Sequence, residues 1–154
     1  MSAVSLHLFG ASTPTGEAFR QLVAYNPDLW ELHTYSRRPH GKAGIVQQAN
    51  FNTPESFQPA ETPLQQALWI SFAPIWLLAP FLEQLAQHHP ERLQGLCGLI
   101  ACSSSSVVTK RFATNSFDRE LVAKLTDAED RLMFTCNQLQ IVCRILRPTL
   151  IYGQ

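Results

Sequence analysis

The chain has 154 residues, of which 45% are hydrophobic and 16% charged. This length is enough for one domain with a sizeable core. The 12 basic and 12 acidic residues cancel, so no net field attracts nucleic acid or an anionic membrane surface. We therefore predict neither a nucleic-acid partner nor a membrane partner.

The most apolar stretch, residues 67–82, is too short to span a bilayer and contains two prolines. With no leader-like segment at the start, we expect a soluble cytoplasmic protein. The four cysteines show neither CxxC spacing nor neighbouring histidines, and they fall in apolar segments at positions 97, 102, 136 and 143. We interpret them as reduced core thiols and predict neither a metal site nor a disulfide.

Strand and helix signals alternate along the chain, a pattern typical of a parallel sheet. Six strands are predicted, over residues 4–9, 30–37, 44–48, 67–73, 96–102 and 140–146. Helices are predicted over 15–25, from Pro54, around Pro80 in a first turn, and over about 118–138. The inward face of the first helix is predicted to hold Ala18, Phe19, Leu22 and Val23. That of the long helix is predicted to hold Leu121, Leu125, Ala128, Leu132 and Cys136.

The segment SLHLFGASTPTGEAF, residues 5–19, joins an apolar strand to a helix through a turn rich in Gly, Ser and Thr. Gly10 would allow a sharp turn after the strand, and Gly16 would let the helix approach the sheet. Ser12, Thr13 and Thr15 add hydroxyl groups beside the free N–H groups of a helix N-terminus. This combination predicts a cradle for the diphosphate of a nucleotide. The alternative is an ordinary strand-to-helix turn without a ligand.

Four segments resemble, in the right order, those of the short-chain dehydrogenase/reductase superfamily, above all its extended and atypical branches. They are FGASTPTG, YSRRP, the serine run after the fifth strand, and AEDRL followed by LRPTLIYG. The resemblance covers essentially the whole chain. It implies a three-layer, doubly wound α/β fold with sheet order 3-2-1-4-5-6 and NAD or NADP across the carboxyl ends of the strands.

The end of the second strand decides between the two cofactors. In the family an acidic residue there binds the ribose hydroxyls of NAD, whereas cations accommodate the extra phosphate of NADP. This chain has Ser36, Arg37 and Arg38 and no carboxylate at that place. The prediction is NADP, with NAD as the second option. The alternative interpretation is a pair of solvated arginines at a strand end.

The resemblance also indicates further contacts to the cofactor. Asn50 takes the place of an acidic residue near the adenine, and Phe72, Ala73 and Pro74 would border the cofactor after the fourth strand. Thr13 replaces the middle glycine of the motif, so its Cβ would crowd the diphosphate or its hydroxyl would bind it. The predicted cofactor-binding residues are Gly10, Ser12, Thr13, Pro14, Thr15, Gly16, Ser36, Arg37, Arg38, Asn50, Phe72, Ala73 and Pro74.

Active members carry a Tyr and, four residues later, a Lys on the long helix, which exchange a proton with the substrate during hydride transfer. Aligning Ala128-Glu129 with the family's AE places Leu121 and Leu125 at these positions. Lys124 misses the register by one residue, a rotation of about 100° on a helix. The usual acid/base pair is therefore predicted to be absent.

The serine run at 103–106 lies where the family keeps a Ser or Thr that hydrogen-bonds to the substrate oxygen. Ser104 or Ser105 is the predicted catalytic residue for that role. A polar turn that ends the strand is the alternative interpretation.

Family members would continue for roughly another hundred residues and add a substrate-binding lobe. Residues 1–154 are therefore expected to be the NAD(P)-binding domain alone, from a fragment or a naturally short member. The first function is a hydride-transfer oxidoreductase or sugar-nucleotide epimerase, acting on an unidentified small molecule with a non-standard proton donor. The second is a non-catalytic dinucleotide-binding sensor or assembly factor. A third is a fold that has lost the cofactor too. By analogy, a homodimer through the long helix is also an option.

Overall fold

A parallel sheet forms the centre of the protein in a computed structural model, which describes residues 4–37, 46–59 and 66–149. Its strands are β1 Val4–Phe9, β2 Trp30–Ser36, β3 Val46–Gln48, β4 Ala67–Ser71, β5 Leu96–Cys102 and β6 Val142–Leu146. All neighbouring strands pair in parallel, in the order β3-β2-β1-β4-β5-β6. The predicted sheet order is confirmed.

Helices cover both faces of this sheet. They are α1 Pro14–Ala24, α2 Ile75–His88, α3 Ser106–Thr109 and α4 Ser116–Gln138, with 3-10 turns at Pro54–Ser56 and Pro90–Leu93. The side chain of Asn115 caps α4 by accepting a 2.8 Å hydrogen bond from the amide of Asp118. The result is the three-layer, doubly wound α/β arrangement expected from the sequence.

Alternate residues of each strand separate the core into two parts. On one face, α2 and α4 pack over Phe9, Trp69 and Leu99, and on the other α1 packs over Leu6 and Leu8. Burying a large apolar side chain contributes about 1.5–3 kcal/mol. α2 therefore stabilises the first face strongly, since it buries Ile75, Leu78, Ala79, Phe81, Leu82 and Leu85.

An ion pair fastens the two large helices to each other. The guanidinium of Arg131 on α4 donates two hydrogen bonds of 2.7 Å to the carboxylate of Glu83 on α2. Such a two-bond arrangement fixes the orientation of both groups more firmly than a single contact would.

Three local predictions were wrong. Pro80 lies inside α2, not in its first turn, because the helix already begins at Ile75. Ala18 and Leu22 on α1 are exposed, because the helix packs on the sheet through Val23 and Phe19. The helix expected from Pro54 is a single 3-10 turn.

In the described part of the chain, no helix has both the length and the apolar character needed to cross a membrane. Nor do the side chains in those ranges form a group of three or more His, Cys, Asp and Glu able to hold a metal ion. The four cysteines are free: Cys136 and Cys143 are buried, and Cys97 and Cys102 are half-buried.

Candidate functional site

The turn after β1 is compact because of two glycines. Gly10 has φ +74°, and a Cβ there would lie 2.8 Å from the backbone N of Ala73, just after the neighbouring strand β4. A Cβ on Gly16 would lie 2.2 Å from the carbonyl oxygen of Gly10. Both positions therefore exclude a side chain, so the start of α1 lies directly on the turn.

Thr13 closes this turn. Its hydroxyl donates to the carbonyl of Gly10 at 2.7 Å and accepts from the amide of Gly16 at 3.0 Å, as the N-cap of α1. Both hydrogen-bonding roles of the hydroxyl are thus used within the protein. Thr13 takes part in the site by shaping the turn, and its hydroxyl is not a free donor for a ligand.

Two backbone donors of the turn have no partner in the described part of the protein. Across the described residues, the amide N–H groups of Ser12 and Thr15 form no hydrogen bond. The hydroxyl of Ser12 lies 3.1 Å from that of Ser36, at the end of β2. Two free amides at the N-terminus of a helix form a site that favours an anion.

A first cavity of about 180 Å³ opens beside the turn, toward β2 and β3. Its floor is aromatic, because Phe9, Tyr35 and Phe51 belong to a stacked cluster in which the centroids of Phe9 and Tyr35 are 4.8 Å apart. The predicted residues that line it are Gly10, Ser12, Thr13, Ser36, Arg37, Asn50, Ala73 and Pro74. The side-chain carbonyl oxygen of Asn50 accepts a 3.0 Å hydrogen bond from the backbone amide of Asn52.

A second cavity of about 500 Å³ lies on the other side of the turn, toward β4, β5 and α4. The predicted residues that line it are Thr13, Thr15, Phe72, Ala73, Pro74 and Ser104. Leu121 and Leu125 of α4 also line it, together with Ile75, Trp76, Cys102, Ser103 and Pro148. The two cavities share Thr13, Ala73 and Pro74, so they adjoin at the carboxyl ends of the strands, and together they are called the cleft.

The serine turn forms one edge of the second cavity. Ser104 lines it, while its hydroxyl donates to the hydroxyl of Ser106 at 3.0 Å and accepts from the amide of Ser106 at 3.1 Å. Ser105 does not line either cavity, and its amide donates to the carbonyl of Pro148 at 3.2 Å. Of the two predicted catalytic serines, the structure therefore places one at the cavity.

An ion pair between a buried carboxylate and an exposed guanidinium lies next to this edge. The carboxylate of Glu129, on α4, accepts two hydrogen bonds from the guanidinium of Arg147, just after β6. The hydroxyl of Ser103 is enclosed beside the same carboxylate. Burial by itself would raise the pKa of Glu129, but Arg147 and Ser103 outweigh it and hold the pKa below its usual value. Glu129 is therefore ionised and paired at neutral pH, which makes it a poor proton donor.

Two other groups near the second cavity can be placed. The ammonium of Lys124 lies over the ring of Trp76, 4.4 Å from its centroid, and Lys124 does not line the cavity. Burial raises the pKa of the Cys102 thiol, so this thiol stays protonated at neutral pH. The walls described here thus hold hydroxyls and apolar groups but no carboxylate, amine or imidazole.

The remaining predicted residues lie elsewhere. Pro14 begins α1 and Gly16 is buried beneath the turn, so both shape the cradle without lining a cavity. Arg38 falls outside the described residues.

Sequence inspection missed Phe9, Tyr35 and Phe51 as a cavity floor, and Trp76 and Pro148 as parts of the second wall. Phe9 and Tyr35 face each other across paired strands, at register positions that the parallel alignment of β1 and β2 would have indicated. No comparable signal in the sequence pointed to Trp76.

Comparisons with known proteins find a similar solved structure but no matching family model or curated protein. Among solved structures, the chain is similar to a short-chain dehydrogenase/reductase superfamily protein from Agrobacterium tumefaciens, whose crystal structure holds bound NAD. The TM-score is 0.58, with 13% sequence identity over 93% of this chain. The chain shares that protein's fold.

The two proteins differ in extent. The matched region covers 48% of the Agrobacterium protein, so this chain spans about half the length of that neighbour.

Proposed function

We propose that the chain binds a nicotinamide adenine dinucleotide along the cleft, as an atypical relative of the short-chain dehydrogenases/reductases. The observation that supports this most is the pair of cavities meeting at the glycine turn, where the strand order reverses between β1 and β4. Crevices at such reversal points are where doubly wound sheets bind dinucleotides. The bound NAD of the structural neighbour agrees with the proposal.

In this arrangement the diphosphate would lie on the turn. The free amides of Ser12 and Thr15 would donate to its oxygens, and the missing side chains of Gly10 and Gly16 keep the turn and helix start compact. The adenosine half would enter the first cavity, over Phe9 and Tyr35 and beside Asn50. The nicotinamide half would enter the second cavity, near Ser104.

We further propose a preference for NADP over NAD. Arg37 is exposed and lines the first cavity beside Ser36, and no Asp or Glu is among the described residues of that wall. A guanidinium there would pair with the 2′-phosphate, which only NADP carries. Arg38, next along the chain, would reinforce the same charge.

The chemistry of the second cavity favours a binding role over catalysis. A bound nicotinamide supplies hydride transfer, but proton exchange with a substrate needs a group that titrates near neutral pH. The described wall offers serine and threonine hydroxyls and the protonated thiol of Cys102, with Leu121 and Leu125 on α4. We therefore place a non-catalytic sensor or assembly role ahead of an oxidoreductase or epimerase with Ser104 as its substrate-binding hydroxyl.

A homodimer through α4 is part of the proposal. Met133 and Phe134 on this helix are 43% and 64% exposed. Phe134 also lines a groove between α2 and α4, and exposed apolar groups at such a groove support contact with a second copy.

Calorimetric titration of the purified chain with NADPH and with NADH tests the function directly. NADPH should bind more tightly, and Arg37→Ala/Arg38→Ala should weaken NADPH by roughly tenfold or more, because charge-assisted contacts to the phosphate are lost. NADH should be affected little. The matched control is Arg111→Ala/Arg119→Ala, which removes the same charge from residues that line neither cavity. Absence of binding by either nucleotide to the folded chain would refute the proposal.

A further inference from the structure

The second cavity has an unusual wall for a site that would hold a nicotinamide ring. Its described lining is dominated by apolar side chains such as Phe72, Trp76 and Leu121, with the hydroxyls of Ser103 and Ser104 among its polar groups and no Asp or Glu. An apolar wall accepts a neutral ring readily but gives little compensation for the lost hydration of a charged one. The cavity is thus poorly suited to a cation.

The charged groups around the cavity also disfavour a bound cation. The nearest buried acid, Glu129, has both carboxylate oxygens held by Arg147, so the charge of this pair is balanced. On the other side, the ammonium of Lys124 lies 4.4 Å from the centroid of Trp76, a residue of the wall. Glu120, one helical turn earlier, forms no ion pair with Lys124 in the described ranges. Lys124 is exposed, and its ammonium is the charge that contacts a residue of this wall, whereas no contact of Glu120 with the wall is seen among the described residues.

An aromatic wall could in principle attract a cation through its ring face. Here the ring in question, that of Trp76, already carries the ammonium of Lys124 over it. Two cations sharing one indole would repel each other, so the ring offers a second cation much less than it would alone.

The two redox forms of the cofactor differ in the charge of the nicotinamide ring. The oxidised nicotinamide is a pyridinium with one positive charge, whereas the reduced dihydropyridine is neutral. Resting on the proposed function, we infer that the second cavity selects the reduced form, so that the protein binds NADPH more tightly than NADP⁺ and its occupancy follows the redox state of the pool. No covalent step is involved, and Lys124 acts as the specificity-determining residue through its charge.

Calorimetry with three nucleotides on the full chain tests the inference. NADPH and NADP⁺ report the redox preference, while 2′-phospho-ADP-ribose, which lacks only the nicotinamide ring, reports the binding of the rest of the cofactor. We expect NADPH to bind about tenfold more tightly than NADP⁺, as a partly screened charge interaction predicts. Lys124→Glu should reduce this ratio to about threefold or less by strengthening NADP⁺, with NADPH unchanged.

Two controls keep the outcome specific. Arg119→Glu makes the same change of charge on the same helix, but Arg119 lies over no ring of the described wall, so the ratio should stay as it is. Lys124→Gln should give an intermediate ratio, and a circular dichroism melt of each variant reports whether it is folded.

The failures are distinguishable. If NADPH and NADP⁺ bind with equal affinity, or if Lys124→Glu and Arg119→Glu change the ratio equally, the inference is overturned while the proposed function stands. If none of the three nucleotides binds the folded chain, the proposed function fails, and the inference with it.

Discussion

Thr13 takes the place where a middle glycine would be expected, and its hydroxyl spans the turn from Gly10 to Gly16. We predict that Thr13→Ala lowers the free energy of unfolding by about 1 kcal/mol, the usual loss when an N-cap hydroxyl is removed. Urea denaturation followed by circular dichroism measures the change. Thr13→Ser keeps the hydroxyl and is the matched control, which should stay within a few tenths of a kcal/mol of the original. Equal stability of the Ala variant and the original would show that the cap contributes nothing.

His7 is the second residue whose surroundings carry a prediction. It is 2% exposed on β1, with Nδ1 2.8 Å from the hydroxyl of Tyr35 and Nε2 3.1 Å from that of Ser5. The ring of His33 stacks on it at a centroid distance of 4.8 Å. Burial first, and the charge of His33 second, lower the pKa of His7 to about 4. His7 is therefore neutral in the folded protein at pH 7.

Because the unfolded chain holds a proton on His7 below about pH 6.5, it binds more protons than the folded state between pH 6.5 and 4. Stability is then fully present above pH 6.5 and falls as the pH drops toward 4, by on the order of 3 kcal/mol for a shift of this size. Urea unfolding at a series of pH values should show this slope. His7→Gln, which can hydrogen-bond but does not titrate, should flatten it, and an unchanged slope in that variant would assign the effect to other groups.

At the scale of elements, the sequence predicts most of the sheet because each strand shows its own local signal. The β4 segment ALWIS is a short run of apolar residues, and four of its five residues are buried in the sheet. The long helix was predicted within two residues of its start, since Leu121, Leu125, Ala128 and Leu132 recur at helical spacing. These predictions hold because the apolar residues that form each pattern are the ones that pack in the core.

Where the sequence misled, tertiary packing was the reason. Leu22 fits the apolar spacing of α1 but is 63% exposed, because α1 contacts this face of the sheet through Val23 and Phe19 instead. Pro80 suits a helix start by itself, yet the preceding Ile75 and Leu78 are buried and draw the helix start five residues earlier. Propensity yields to burial in both cases.

In the candidate site too, residues within local motifs were predicted, whereas those brought in by tertiary packing were not. Gly10, Ser12, Ser36 and Arg37 were predicted from local motifs, and the sheet brings them together at one cavity. Trp76 lies on α2, and no local sequence pattern indicates how close α2 comes to the turn after β1. Lys124 was expected to face away from the site, and its ammonium over Trp76 emerges from the packing of α4 against α2.

At the scale of the whole molecule, the proposed homodimer accounts for an outer surface of α4 that packing within one chain leaves uncovered. Phe134 is 64% exposed and lies at a groove of about 820 Å³ between α2 and α4, beside the Arg131–Glu83 ion pair. A second copy placing its own α4 there would cover both apolar surfaces by the same contact, as a twofold interface does. The groove also offers Asp130 and Gln138 as polar rim groups.

Sedimentation velocity over a range of protein concentrations tests this arrangement. The original chain should show a dimer, and Phe134→Glu should shift it to monomer, because a carboxylate at the centre of an interface would be buried without a partner. The unfolding midpoint of Phe134→Glu should differ little from that of the original chain when both are measured at concentrations low enough for the chain to be monomeric. The reason is that the Phe134 side chain is largely exposed within one chain. Phe112→Glu is the control, because Phe112 is 84% exposed but lies before α4, away from the groove. A monomer at every concentration of the original chain would contradict the dimer, whereas dissociation by both substitutions would place its interface nearer the start of α4.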